Sequence, residues 1–275
     1  MLRDMIPLVA NGQLDVATGG PNASLFNAVA RNISLRLVAD KATTSEKYSA
    51  LAVVVRSDLL DAGALRTPAD LRGKIIAVPG NYIDYGLDTT LRRAGLDPAK
   101  DVQSTTLGFP EVNVAMSNRA IDAGIQVEPA LTLGEKQGLF RPLIWDNDMI
   151  PNHSSAIMLF APNLVVERNE VGKRFMVAYV QGIRDYYDAF ITGRKPRSEL
   201  IPTMIAHTPI KDPALWEQLR VADVDPDGYA NRASLEGELK WNVEHGMVAD
   251  GLDLATVIDD QFADYAVQQL GKYPR

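Results

Sequence analysis

The chain has no cysteine, and it has only three histidines among its 275 residues. The absence of cysteine excludes disulfides, thiolate zinc sites and cysteine nucleophiles. His153, His207 and His245 are far apart, and no pair has the i, i+4 spacing of a helical metal site. The sequence therefore predicts no metal and no cofactor.

Long hydrophobic runs and an excess of positive charge are also missing. No stretch approaches the roughly 20 apolar residues that a membrane-spanning helix needs. The longest apolar runs, such as 51–55, have the length of a strand. Lys and Arg number 28 against 35 Asp and Glu, for a net charge of -7. Because negative charge repels phosphate backbones, we expect no nucleic-acid partner.

Two segments imitate functional motifs but are incomplete. Asp223–Gly228 starts like an EF-hand loop, yet Ser234 stands where the loop needs a bidentate Glu, so the segment is predicted to be a turn. His153 with Ser154 has no G-x-S-x-G frame, and no Walker sequence occurs. The sequence thus favours neither a serine hydrolase nor an ATPase.

The apolar runs and turn residues predict alternating strands and helices. Predicted strands cover 14–18, 34–39, 50–56, 75–78, 102–107, 121–126, 140–145 and 156–161, and predicted helices cover 2–10, 23–31, 84–94, 110–118, 171–191, 232–245 and 259–270. The series from 75 to 126 is βαβαβ, which favours a parallel sheet with helices on both faces. No flexible linker separates the elements, so we expect two interleaved lobes: 1–56 with 155–275 as lobe I, and 57–154 as lobe II.

Several segments together resemble one family: Leu8–Val16, Ala69–Val78, Ala120–Ala123 and Gly246–Val248. They are similar in order and spacing to the NMT1/THI5-like and SsuA/TauA-like solute-binding proteins, and the resemblance covers nearly the whole chain. It implies an α/β, two-lobe type II periplasmic-binding-protein fold, with a mixed sheet in each lobe and helices on both faces. Members normally have a strand-helix-strand unit before the segment that opens this chain, so we expect lobe I to be N-terminally incomplete and less stable for it.

The resemblance also implies a function. It predicts the solute-binding component of an ABC importer, a monomer that is not an enzyme and that partners a membrane permease. The solute would be a small organic molecule of the sulfonate, taurine, nitrate or pyrimidine-precursor class. The expected location is periplasmic or extracytoplasmic, although the first residues have no signal-peptide pattern. The alternatives are a pyrimidine-precursor synthase of the THI5 type, whose cysteine-rich motif is absent here, and a truncated remnant that binds nothing.

The first candidate loop for the solute contains Gly20, Pro21, Asn22 and Ser24. Glycine allows close backbone approach, and a helix start offers free N–H groups. An ordinary strand-to-helix turn explains the same residues equally well.

The second candidate loop contains Gly80, Asn81, Tyr82 and Tyr85, which match the family's ligand loop. The tyrosines could present rings and hydroxyls to a flat or polar ligand. Asp84, in the same segment, is instead predicted to cap the following helix.

Gln126 and Glu128 follow the central strand of lobe II, at the carboxyl end where open α/β sheets place ligands. Glu128 could accept from a solute N–H group or could cap a helix. His153, beside the predicted return crossing, could contact solute or only satisfy backbone groups.

Overall fold

A computed structural model of the chain describes residues 2–80 and 84–274. The chain forms two compact units, each built from separated segments. Unit 1 comprises Met1–Thr43, His153–Pro213 and Asp223–Arg275, and unit 2 comprises Thr44–Asn152 and Ala214–Ala222.

These boundaries differ from the expected ones in three places: residues 44–56 and 214–222, expected in lobe I, lie in unit 2, and residues 153–154, expected in lobe II, lie in unit 1. Residues 51–56, expected in lobe I, form a strand that pairs on both edges within unit 2. The β-branched run at 53–55 indicates a buried strand, but it carries no information on which sheet will bury it.

Eight strands and thirteen α-helices lie in the described ranges 2–80 and 84–274. The strands are β1 (Val16–Gly19), β2 (Arg36–Thr43), β3 (Leu51–Arg56), β4 (Ile75–Val78), β5 (Gln103–Thr106), β6 (Ala123–Val127), β7 (Phe140–Trp145) and β8 (Ser154–Phe160). The helices are α1 (Leu2–Ala10), α2 (Ala23–Ala30), α3 (Ser57–Asp61), α4 (Tyr85–Arg93), α5 (Phe109–Ser117), α6 (Ala130–Lys136), α7 (Asp146–Met149), α8 (Pro162–Val165), α9 (Asn169–Tyr186), α10 (Arg197–His207), α11 (Pro213–Gln218), α12 (Arg232–Glu244) and α13 (Gln261–Leu270). A π-helical turn, Tyr187–Thr192, continues α9.

The sheet of unit 1 has the order β1-β8-β2, and both pairs are antiparallel. Its only parallel element among the described residues is an isolated bridge between Leu37 and Ile258. Successive strand residues point to opposite faces. Leu159 accordingly lies in the core shared with α1 and α2, whereas Met158 and Phe160 lie in the core shared with α9 and α13.

The sheet of unit 2 has the order β5-β4-β6-β3-β7. Strand β4 is parallel to β5 and β6, so the predicted βαβαβ series forms the parallel part of the sheet. Strand β3 is antiparallel to β6 and β7, which makes the sheet mixed. The carboxyl ends of β4, β5 and β6 therefore share one edge of unit 2.

A buried ion pair fastens the end of the chain inside unit 1. Arg184 Nη2 lies 2.6 Å from Asp227 Oδ1, and Asp227 is 1% exposed. The same Asp227 oxygen accepts from Tyr273 N at 2.9 Å, and Arg184 donates to Gly271 O at 2.6 Å. Asp227 belongs to the segment that imitates an EF-hand loop. That segment is a turn, as predicted, with Gly228 at a φ of 82°.

Candidate functional site

The unit 1 candidates lie in the turn between β1 and α2. Asn22 is the N-cap of α2, and its Oδ1 accepts from Ser24 N at 2.9 Å and Leu25 N at 3.2 Å. Its Nδ2 donates to Gly20 O at 3.2 Å. The Asn22 amide thus closes the turn on itself, which is the role of an ordinary helix cap.

The two glycines of this turn are explained by close packing. A Cβ at Gly19 would lie 2.7 Å from Leu2 Cβ, and a Cβ at Gly20 would lie 3.3 Å from Ser155 O. Gly20 and Ser24 are exposed, and Pro21 is half-buried. The turn therefore offers solvent a short stretch of backbone and the Ser24 hydroxyl, with no charged side chain among its four candidates.

In unit 2, the second candidate loop follows β4 at the shared carboxyl edge. Gly80 O accepts from Thr106 Oγ1, at the end of β5, over 2.8 Å. Asp84 Oδ1 accepts from Leu87 N at 2.9 Å, so the predicted cap of α4 is confirmed. Tyr85 packs against the buried core of unit 2. Asn81 and Tyr82 lie outside the described residues.

Gln126, near the end of β6, is fully buried. Its Nε2 donates to Phe109 O at 2.9 Å and to Asn113 Oδ1 at 2.7 Å, and its Oε1 accepts from Val127 N at 3.0 Å. Asn113 in turn donates to Ala130 O at 2.9 Å. Both amide hydrogens of Gln126 are thus used within unit 2, where they hold α5 at the sheet edge, and Asn113 in turn holds the start of α6.

Glu128 caps the first turn of α6. Its Oε2 accepts from Thr132 N at 3.1 Å, and its Oε1 accepts from Thr132 Oγ1 at 2.8 Å and from Arg220 N at 3.2 Å. The side chain is only 7% exposed. Of the two roles considered for Glu128, this geometry is that of the cap.

Arg220 is the residue at this edge that sequence reasoning missed. Its Nη1 lies 2.5 Å from Glu135 Oε2 and 3.7 Å from Glu128 Oε1, and its guanidinium carbon lies 4.7 Å from the centre of the Trp145 ring. Arg220 is 92 positions from Glu128 in the sequence. No local pattern marks such a contact, because it depends on the return of residues 214–222 to unit 2.

His153 is half-buried and immediately precedes β8, where unit 1 resumes. The next residue, Ser154, donates from Oγ to Asp40 Oδ1 at 2.9 Å and from N to Ser234 Oγ at 2.8 Å. Burial raises the pKa of Asp40 to about 7, although Ser154 and Thr43 donate to its carboxylate. Polar groups at this crossing therefore satisfy one another inside unit 1.

The structure places Gly80, Gln126 and Glu128 at or just after the carboxyl ends of the neighbouring strands β4 and β6, and places Gly20 to Ser24 in one turn of unit 1. Among the residues described, no cluster of three His, Asp or Glu side chains could hold a metal ion. Within the same residues, no helix has the length and apolar character to cross a membrane.

Comparison with curated protein sequences gives no match. The sequence model of the family described as NMT1/THI5 like matches residues 3–189. Among solved structures, the periplasmic nitrate-binding protein NrtA from Synechocystis PCC 6803 is similar, with a TM-score of 0.74 and 14% identity over 98% of this chain and 78% of that chain.

The periplasmic aliphatic sulphonate binding protein SsuA from Escherichia coli has a TM-score of 0.64 and 20% identity over 94% of this chain and 79% of that chain. The desulfurization enzyme DSZB has a TM-score of 0.64 and 16% identity over 93% of this chain and 85% of that chain. At these identities the likeness concerns the fold, and it confirms the predicted α/β class of the periplasmic binding proteins.

Proposed function

Because the chain belongs to the NMT1/THI5-like family, we propose that it is the solute-binding component of an ABC importer. The observation that carries this proposal is the family match over residues 3–189. Similar structures include a nitrate-binding and a sulphonate-binding protein, which supports a small polar solute. An extracytoplasmic location and a membrane permease as partner belong to the same proposal.

We further propose that the solute is bound and released without chemical change. The desulfurization enzyme DSZB shares the fold, so the fold does not decide between binding and catalysis. The candidate side chains favour binding, since Asn22, Gln126 and Glu128 are held by backbone partners and are not poised as nucleophile or base. The chain also has no thiol.

The solute itself is proposed to be a sulfonate, taurine, nitrate or a pyrimidine precursor. The nitrate-binding and sulphonate-binding proteins of the same fold support a polar or anionic group on the solute. At the edge of unit 2, Arg220 already lies near two carboxylates, Glu128 and Glu135. Two carboxylates beside one guanidinium suit a solute that also brings an amine or ring N–H group. Taurine and aminopyrimidines combine these features.

The test is native mass spectrometry of small molecules released from the purified chain, followed by calorimetric titration with taurine, a short alkanesulfonate, nitrate and an aminopyrimidine. The proposal expects saturable binding of one class with the solute recovered unchanged. A solute that is converted to product would support an enzyme related to the THI5 type. Absence of binding across all four classes would support the remnant.

A further inference from the structure

Asp40 is a buried acid for which the proposed function has no use. It lies in β2 and is 1% exposed. Its Oδ1 accepts from Ser154 Oγ at 2.9 Å and from Thr43 Oγ1 at 3.0 Å, and a backbone hydrogen bond joins its carboxyl to Asp225. Three separate parts of the chain thus meet at one carboxyl group.

Each of these partners lies near a passage between the units, that is, a point where the chain leaves one unit and enters the other. Thr43 is the last residue of the first segment of unit 1, and Ser154 is the second residue of its second segment. The third segment begins at Asp223, which forms an isolated bridge with Thr43, and Asp225 follows two residues later. Three of the four passages between the units are therefore tied to Asp40 from the unit 1 side.

Among the residues that the structure describes, no positively charged group acts on the Asp40 carboxyl. In the described part of the chain, the groups that act on its carboxyl are the Ser154 and Thr43 hydroxyls and Asp225, whose own charge opposes ionisation. Helix α9 contributes Tyr179, whose hydroxyl donates to Asp40 O at 2.6 Å, and α12 contributes Ser234, which accepts from Ser154 N. A buried carboxylate without a cation is costly, and water entry relieves that cost.

We propose that Asp40 is a proton-operated latch on the passages between the two units. Uncharged, it stays buried and keeps Thr43, Ser154 and Asp225 packed around it. Charged, it draws water inward and loosens the three segments that carry these residues. The latch acts within unit 1, and it does not depend on which solute the protein binds.

The direct test is carbon NMR of the chain labelled at aspartate carboxyls, combined with hydrogen exchange corrected for intrinsic rates. We expect the Asp40 signal to titrate near neutral pH. Amide protection in 41–44, 153–156 and 223–226 should fall about tenfold between about pH 5.5 and pH 8.5. Asp40→Asn, which mimics the uncharged acid, should keep these amides protected at both pH values.

The matched control is Asp250→Asn, because Asp250 is exposed in unit 1 and its carboxylate accepts from the neighbouring Gly251 N. This variant should retain the wild-type pH response. Titration of Asp40 in the acid range, or the same loss of protection in Asp40→Asn as in the wild type, would overturn the proposal. If Asp40→Asn does not fold, Ser154→Ala replaces it: removal of this donor should move the Asp40 titration to higher pH, and an unmoved titration would count equally against the latch.

Discussion

Each unit buries an acid in or next to its sheet, and Glu128 and Asp40 are compensated in opposite ways. Glu128 of unit 2 accepts from the backbone N–H groups of Thr132 and Arg220 and has the Arg220 guanidinium 3.7 Å away. Asp40 of unit 1 accepts mainly from hydroxyls, and no cation acts on it within residues 2–80 and 84–274. Burial of an acid therefore has two solutions in one chain, a carboxylate paired with a cation at Glu128 and an acid with a raised pKa at Asp40.

The largest expected effect concerns pH and unit 1. The pKa of Asp40 rises from 3.8 to about 7 on folding, so its contribution to stability is fully present below 3.8 and is lost as pH rises through 7. Asp40→Asn should remove that pH dependence. Above pH 7 its free energy of unfolding should exceed that of the wild type by up to about 4 kcal/mol. Urea titrations at a series of pH values measure this. If the free energy of unfolding depends on pH in the same way in both proteins, the contrast between Asp40 and Glu128 does not hold.

The next effect is the loss of the paired acid in unit 2. Glu128→Ala should lower the free energy of unfolding by about 2–3 kcal/mol, because Thr132 N–H and Arg220 N–H lose their acceptor. Glu128→Gln retains one acceptor oxygen and should lose about half as much. Urea unfolding followed by Trp fluorescence suits the measurement, since Trp145 lies against Arg220. Equal losses in both variants would mean that the charge, and not the cap, stabilises this edge.

The comparison can also be reversed within unit 2. Arg220→Met removes the cation beside Glu128 and leaves the buried carboxylate without a charge partner. The free energy of unfolding at neutral pH should therefore fall by about 1–2 kcal/mol. Arg220→Lys, which keeps a charge but not the planar stack on Trp145, should lose less. Urea unfolding of both variants measures this, and an Arg220→Met protein as stable as the wild type would show that Glu128 needs no cation.

The smallest effect belongs to the turn of unit 1. Asn22→Ala removes the acceptor for Ser24 N and Leu25 N and should cost about 1 kcal/mol of stability. Asn22→Asp retains the acceptor and should restore most of it. Affinity for the solute identified by titration should change little in Asn22→Asp if Asn22 serves only as a cap. A large loss of affinity with unchanged stability would return Asn22 to the binding site.

Local features were predictable from the sequence, and distant contacts were not. The strands at 75–78 and 140–145 and the Asp84 cap follow from short runs of apolar, turn and capping residues, and the structure has them at those positions. Helix α10 was not predicted individually, because it contains Pro202 and buries only Ile201, which leaves no clear apolar stripe.

The candidate site shows the same division. Sequence placed Gln126 and Glu128 correctly at the end of a strand, because strand ends are local. It could not supply their partners Asn113 and Arg220, because those contacts depend on how α5 and residues 214–222 pack. The lobe boundary failed for a related reason, since 50–56 is an equally good strand for either sheet.

The Arg184 pair with Asp227 has a practical consequence for handling the protein. Residues 271–274 run past Arg184, Arg194 and Asp227, and Pro274 O still accepts from Arg194 at 2.9 Å. A protease that cleaves after lysine should therefore spare the bond between Lys272 and Tyr273 while unit 1 is folded and cut it once unit 1 opens. The rate of that cleavage reports directly on the opening of unit 1.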